Sequence, residues 1–155
     1  MRHCRRLELA LRQMEELRGE VEAWTGASPV PGKPWTPGEI LAHSCEMLPY
    51  WMGEAERVLD DTRDPAPFGR VQTDPVRVLV IQRDHELPCR ELYSRLRGDV
   101  GRVVQRLGSI TPEEAEKRCE HSTLGVMTME GLVEEFISGH LEQHLTQLRQ
   151  TLKPS

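Results

Sequence analysis

The chain has 155 residues, 29% of them charged, and a net charge of −5. That length suits one domain, residues 1–155, with a proper core. Its 25 acids and 20 Lys and Arg are dispersed with no basic block, which excludes a footprint for nucleic acid, and no run approaches the roughly 18 apolar residues of a membrane span.

Leu7, Ala10, Leu11, Met14, Leu17, Val21 and Trp24 recur at spacings of three and four, which predicts an amphipathic first helix of about five turns. Its start contains acids and has no apolar signal core, so a cytoplasmic protein is expected. The stretch "TGASPVPGKP" ends the helix, with Gly26 as a left-handed cap and Pro29, Pro31 and Pro34 unable to continue it.

The second helix begins at "WTPGEI". Thr36 caps, Pro37 takes the first helical position, Glu39 closes a capping box, and Trp35 and Ile40 are spaced as a hydrophobic staple. Ile40, Met47, Trp51, Ala55 and Val58 then trace one apolar face, which also carries His43 and Tyr50. Pro49 is expected to kink this helix.

The segment "DDTRDPAPFGRVQTDP" is a long loop, either a crossover or a lid. Asp74 and Pro75 open a third helix whose stripe runs Val76, Leu79, Val80 and Leu87, then Leu92, Leu96, Val100, Val103 and Leu107, with a kink or bulge expected beside Pro88. Thr111 starts a short helical turn with another T-x-x-E box. After an irregular "CEHSTLGVM", Thr128 caps the last helix, whose buried face is Leu132, Val133, Phe136, Ile137, Leu141, Leu145, Leu148 and Leu152. No period-2 strand and no internal repeat is visible. An all-α four-helix bundle with long inter-helix connections is predicted.

Cys4, Cys45, Cys89 and Cys119 form no C-x-x-C pair, so neither a zinc ribbon nor a redox motif is spelled out, and free thiols are expected.

In "GHLEQHLTQL", His140 and His144 project along the row that carries the core. An i, i+4 pair brings two ring nitrogens within reach of one ion, but the glutamate of an H-E-x-x-H metalloprotease is missing. Alone, the pair is equally a half-buried couple satisfied by a hydrogen bond and a water. His43 adds a third imidazole on the core face of another long helix, while His3, His85 and His121 fall near a terminus, in a charged cluster and in a loop. Three unsatisfied imidazoles in a core would cost roughly 1–3 kcal/mol each, a cost that a shared divalent ion removes. Three histidines plus water is the donor set of an open, catalytic zinc-type site.

At this point "WTPGEILAHSCEML" and "LGVMTMEGLVEEFISGHLEQHLTQLRQTL" resemble the DinB/YfiT-like superfamily. These are four-helix bundles whose metal is held by one histidine of the second helix and an H-x-x-x-H pair of the last. The resemblance implies His43, His140 and His144 as metal ligands. It also implies a thiol-dependent S-transferase type of activity, in which the ion activates a low-molecular-weight thiol or a water; a non-catalytic dimerisation or binding module with a structural ion is the alternative. Imidazole ligands leave zinc, nickel and iron open. The expected partners are a small-molecule substrate and a second copy of the chain in a homodimer, with no nucleic acid and no membrane.

Three further residues are candidates for catalysis. Glu46, one turn from His43, fits an acceptor for an imidazole N–H or a general base, and equally a solvated surface acid. Tyr50 fits a donor to a metal-bound oxygen or a tyrosine at the core rim. Arg83, which interrupts the third helix's apolar row, fits a holder of a substrate or cofactor carboxylate or a surface ion pair. Nothing nearby would depress the pKa of Cys45. Specificity is expected to reside in the 60–75 loop and the 119–127 segment.

Overall fold

The computed structural model describes residues 2–26, 35–70 and 74–153. The first amphipathic stretch forms α1 (Arg2–Glu16) and, after a turn at Leu17, the short α2 (Arg18–Ala23). It is therefore two helices rather than one, and it ends with Trp24 as cap. Gly26 is not a left-handed cap: among the described residues only Gly69 and Gly125 have positive φ. The prolines at 29, 31 and 34 lie outside the described residues.

Helix α3 (Pro37–Asp60) begins as its sequence dictates, with Thr36 Oγ1 accepting from the Glu39 N–H and the Glu39 carboxylate accepting from the Thr36 N–H. It runs unbroken through Pro49, which sits on the exposed side. The predicted third helix is divided. Asp74 caps α4 (Pro75–Asp84) by accepting from the Val76 and Arg77 N–H groups, and α5 (Cys89–Leu107) starts afresh after Pro88. A proline disfavours the helical region for the residue before it, so the chain breaks there instead of bulging. Val76 and Leu79, expected in the buried stripe, are exposed on α4.

A small sheet corrects the strand-free prediction. Strand β1 (Ala66–Phe68), inside the long loop after α3, pairs in parallel with β2 (Arg118–His121), which pairs antiparallel with β3 (Gly125–Thr128). Burial does alternate along β1 and β2, but over three and four residues, too short for a period-2 signal. The short α6 (Pro112–Ala115) precedes β2 and carries the Thr111–Glu114 capping box. The 61–74 connection is thus tied to the sheet at one end, and the irregular "CEHSTLGVM" is a hairpin.

Thr128 caps α7 (Met129–Val133), which passes into a π-helical turn at Glu134–Ser138 and then α8 (Gly139–Leu152). The π-turn carries no signature in the spacing of apolar residues. A Cβ on Gly139 would collide with the Glu134 carbonyl, so the turn requires glycine at its exit.

The four long helices α1, α3, α5 and α8 form the bundle. Both α1 and α3 pack against α5 and α8, so α1 and α3 face each other across one diagonal and α5 and α8 across the other. Consecutive long helices, α1 with α3 and α5 with α8, are therefore diagonal rather than adjacent. Leu7, Met14, Ile40, Met47, Leu96, Leu132 and Ile137 lie at its centre, fully buried.

Gly38 is where α3 meets the end of α4, and a Cβ there would collide with the His85 carbonyl oxygen. Gly38→Ala should lower stability by about 1–3 kcal/mol through overpacking, although alanine is the better helix former by up to ~1 kcal/mol. Urea unfolding of the variant checks the sign.

Candidate metal centre and its cavity

Helices α3 and α8 bring His43, His140 and His144 together. Their ring centroids lie 4.5 Å (His43–His144), 4.6 Å (His140–His144) and 5.4 Å (His43–His140) apart. One nitrogen from each ring falls within 4.8 Å of the other two. His43 and His144 are buried and His140 is half-buried.

The nitrogens are conspicuously unsatisfied. Among the described residues, neither nitrogen of His43 nor His144 Nε2 has a hydrogen-bond partner, although all are buried, whereas His140 is oriented by the Phe136 carbonyl one turn back. His144 Nδ1 donates to Gln147 Oε1 at 3.1 Å, because an amide oxygen can only accept, and this leaves the Nε2 lone pair for the cluster. Burial drives all three rings to the neutral form. It holds His43 far below the ordinary imidazole range, with His144 and Arg77 adding to the effect, and lowers His140 to about 4 and His144 to about 3. Neutral imidazoles with converging orphan lone pairs fit a divalent cation, and these three residues are the ones that would hold it.

Around the cluster, Trp35 lies 5.0 Å edge-on to His43 and stacks at 6.2 Å on His144. The residue ahead of the capping box thus also roofs the imidazoles. From α1, His3 Nδ1 bonds Ser138 Oγ at 2.9 Å, and Arg6 joins Glu134 and Glu142, the first residue of the π-turn and the residue between the two α8 histidines. His3, which falls near a terminus, is buried and helps to clamp this turn.

The candidates for catalysis are placed differently from one another. Glu46 is not a surface acid: its side chain is 8% exposed, it bonds Arg70 Nη2 at 2.5–2.6 Å, and its Oε2 lies 3.9 Å from His43 Nδ1. At that distance the carboxylate lies beside Nδ1 but beyond hydrogen-bond range. The Tyr50 hydroxyl donates to Glu54 at 3.5 Å, and burial raises it to about 12; its ring supports the Arg70 guanidinium, 3.6 Å above it. Tyr50 therefore holds an arginine, not an oxygen at the cluster. Arg83 is corrected: its side chain is 70% exposed, it pairs with Asp84, and it is absent from the cavity over the histidines. Cys45 donates its thiol to the Leu92 carbonyl and burial pushes it up to about 12, so it is no nucleophile.

The cavity, of about 380 Å³, opens over His43 and His140. Trp51 and Phe136 form an apolar wall, stacked at 4.2 Å, with the His121 ring 5.1 Å from Phe136. Arg70 and Arg77 line the cavity as its cations, and the exposed Glu135 is its acid. His121, expected in a loop, ends β2 and is buried. The Thr123 and Leu124 N–H groups both donate to its Nδ1, which places its proton on Nε2, an atom that is buried without a partner. The alternation of Cys119 and His121 was the available signal; for Arg70 only its position beside Gly69 in the loop could have served. Gly69, at φ +102°, leaves room for the His121 ring, and its N–H donates to Glu54.

The family model of the DinB superfamily matches residues 6–148, and the chain belongs to that superfamily. No curated protein matches it. Among solved structures it is similar to YfiT from Bacillus subtilis, with 16% identity, a TM-score of 0.65, and coverage of 94% of this chain and 85% of that one. That protein is described as "a probable metal-dependent hydrolase with an unusual four-helix bundle topology". At this identity the likeness establishes the DinB-like fold. Among the described residues, no helix is long and apolar enough to cross a membrane.

The buried histidines set a pH dependence for the metal-free protein. Below about pH 6.5 the unfolded chain takes up protons on His140 and His144, whereas the folded chain refuses them until about pH 4 and 3. Stability is therefore fully present above pH 6.5 and falls as pH drops through this window, by about 1.4 kcal/mol per unit for each such ring. Urea midpoints of chelator-treated protein between pH 7 and 5 should show the loss, and His144→Gln should make it shallower.

Proposed function

We propose that the chain is a divalent-metal-dependent enzyme that activates a low-molecular-weight thiol for transfer to or from a small substrate. The observation that carries the reading is the set of orphaned imidazole nitrogens on the floor of an open cavity. A site intended only to brace the fold is normally closed by a fourth side chain, and among the described residues the cluster has three members. When bound, the ion would supply Lewis-acid activation of the nucleophile.

The protein's own residues do the rest. His144 is held in one tautomer by Gln147, and Trp35 packs edge-on against His43 and stacks on His144. Glu46, tied to Arg70, keeps negative charge beside His43 without occupying the cluster. The aromatic wall and the two arginines orient whatever enters. Zinc, nickel and iron all suit three imidazoles. A second reading, hydrolysis by an activated water, is favoured by the description of the YfiT structure. The two differ in the product: loss of thiol from glutathione, bacillithiol or mycothiol for transfer, release of acid from an ester or amide without thiol for hydrolysis.

Purified protein incubated with zinc or nickel should hold about one ion per chain by mass spectrometry of metals. His140→Ala and His144→Ala should each abolish stoichiometric binding with helical content unchanged by circular dichroism. Wild type that binds no ion would overturn the reading. Gly139→Ala, which disturbs the π-turn ahead of His140, should weaken the ion's affinity by about 10-fold or more in competition with a chelating dye.

A further inference from the structure

We infer that the cavity over the histidines selects a small planar carboxylate, held by Arg70 and Arg77 at its charged end and lying flat against the Trp51, Phe136 and His121 wall. The inference gives a substrate class to the cavity read above as the active site, and its observations are independent of the ion.

The lining divides by chemistry. On one side stand two guanidiniums, each with a planar fork of N–H donors suited to a carboxylate. Arg70 is fixed in place: Glu46 takes its Nη2 end, Tyr50 lies under its plane, and its neighbour Gly69 is fastened to Glu54. Arg77 is half-buried in the first turn of α4, with its guanidinium 5.5 Å from the Trp35 ring. Both arginines line the same cavity as His43 and His140, so their charges stand beside its floor. An anion entering there meets opposite charge in a partly desolvated setting, where it is weakly screened.

On the other side the wall is flat. Trp51 and Phe136 are stacked within 27° of parallel, and the His121 ring is tilted 31° from Phe136. Such a surface suits an aromatic or conjugated body. The volume lies at the small end of the roughly 300–1,000 Å³ of ligand pockets. His121 holds its place in the wall through Nδ1, which accepts from the Thr123 and Leu124 N–H groups, and through the Cδ2–Nε2 edge of its ring, which lies against Gly69.

The test is calorimetric titration of the full chain with trans-cinnamate and with cinnamamide, its neutral isostere, with metal content measured on the same sample. Cinnamate should bind at least about tenfold more tightly, and Arg77→Gln should remove that preference while leaving cinnamamide unchanged. Arg77→Lys should retain part of it, which separates lost charge from disturbed folding. His121→Leu removes a flat ring from the wall while keeping an apolar side chain, and should weaken both probes about threefold or more. Repeating the titrations after chelation separates the arginines from direct ligation of the carboxylate by an ion. Equal affinity for the two probes, an unaltered preference in Arg77→Gln, or displacement of cinnamate by glutathione would each overturn the inference. A chain that binds no metal yet prefers cinnamate would overturn the metal reading alone.

Discussion

Three imidazoles sit where leucines would pack more cheaply, and among the described residues several of their buried nitrogens have no hydrogen-bond partner. Most of what surrounds them serves to keep that arrangement. Helix α3 supplies one ring and α8 two, and both helices start from devices that fix where the rings fall. For α3 it is the Thr36–Glu39 box with Trp35 ahead of it; for α8 it is the π-turn, whose exit admits only glycine and whose other residues are clamped from α1 by His3 and Arg6. Buried polar atoms without partners are usually costly, and a site that concentrates several of them is arranged around something it binds.

A second organisation is laid on α3 itself. His43, Glu46, Tyr50 and Glu54 follow one another at helical spacing, and the last three reach out to the loop that carries Gly69 and Arg70. One helix thus presents an imidazole to the cluster and positions a guanidinium above it. The parallel pairing of β1 with β2 fastens the same loop from the other side, so that His121 enters the cavity from the end of β2 and Arg70 from the loop just beyond β1.

The features legible in the sequence were those encoded by local chemistry. Both T-x-x-E boxes, the Asp74–Pro75 start and the apolar rows of the long helices follow from caps and periodicity, and the shared face of His43 with the core stripe was enough to join it to the His140 and His144 pair. What escaped was set by tertiary contact. Strands of three and four residues are too short for alternation to register, and a π-turn leaves the apolar pattern almost intact. Arg83 and Arg77 are indistinguishable as interruptions of an apolar row; only the break at Pro88 and the lie of α4 decide that Arg77 faces the histidines and Arg83 faces Asp84. His121 looked like a loop residue because its burial comes from a hairpin that its own neighbours do not announce.

The diagonal placement of the helices has a kinetic side. His140 and His144 are neighbours on one helix and are near each other as soon as that helix forms, but His43 joins them only after the chain between α3 and α8 has closed on itself. Such closure comes with a loss of chain entropy that local contacts do not repay, and it places this contact among the slower ones to form. The unfolded chain offers an ion at most a pair of adjacent imidazoles, and the folded chain offers three. An ion that binds all three favours the completed topology by the difference in affinity between those two offers, and so acts as a latch on the assembled bundle rather than a seed for it.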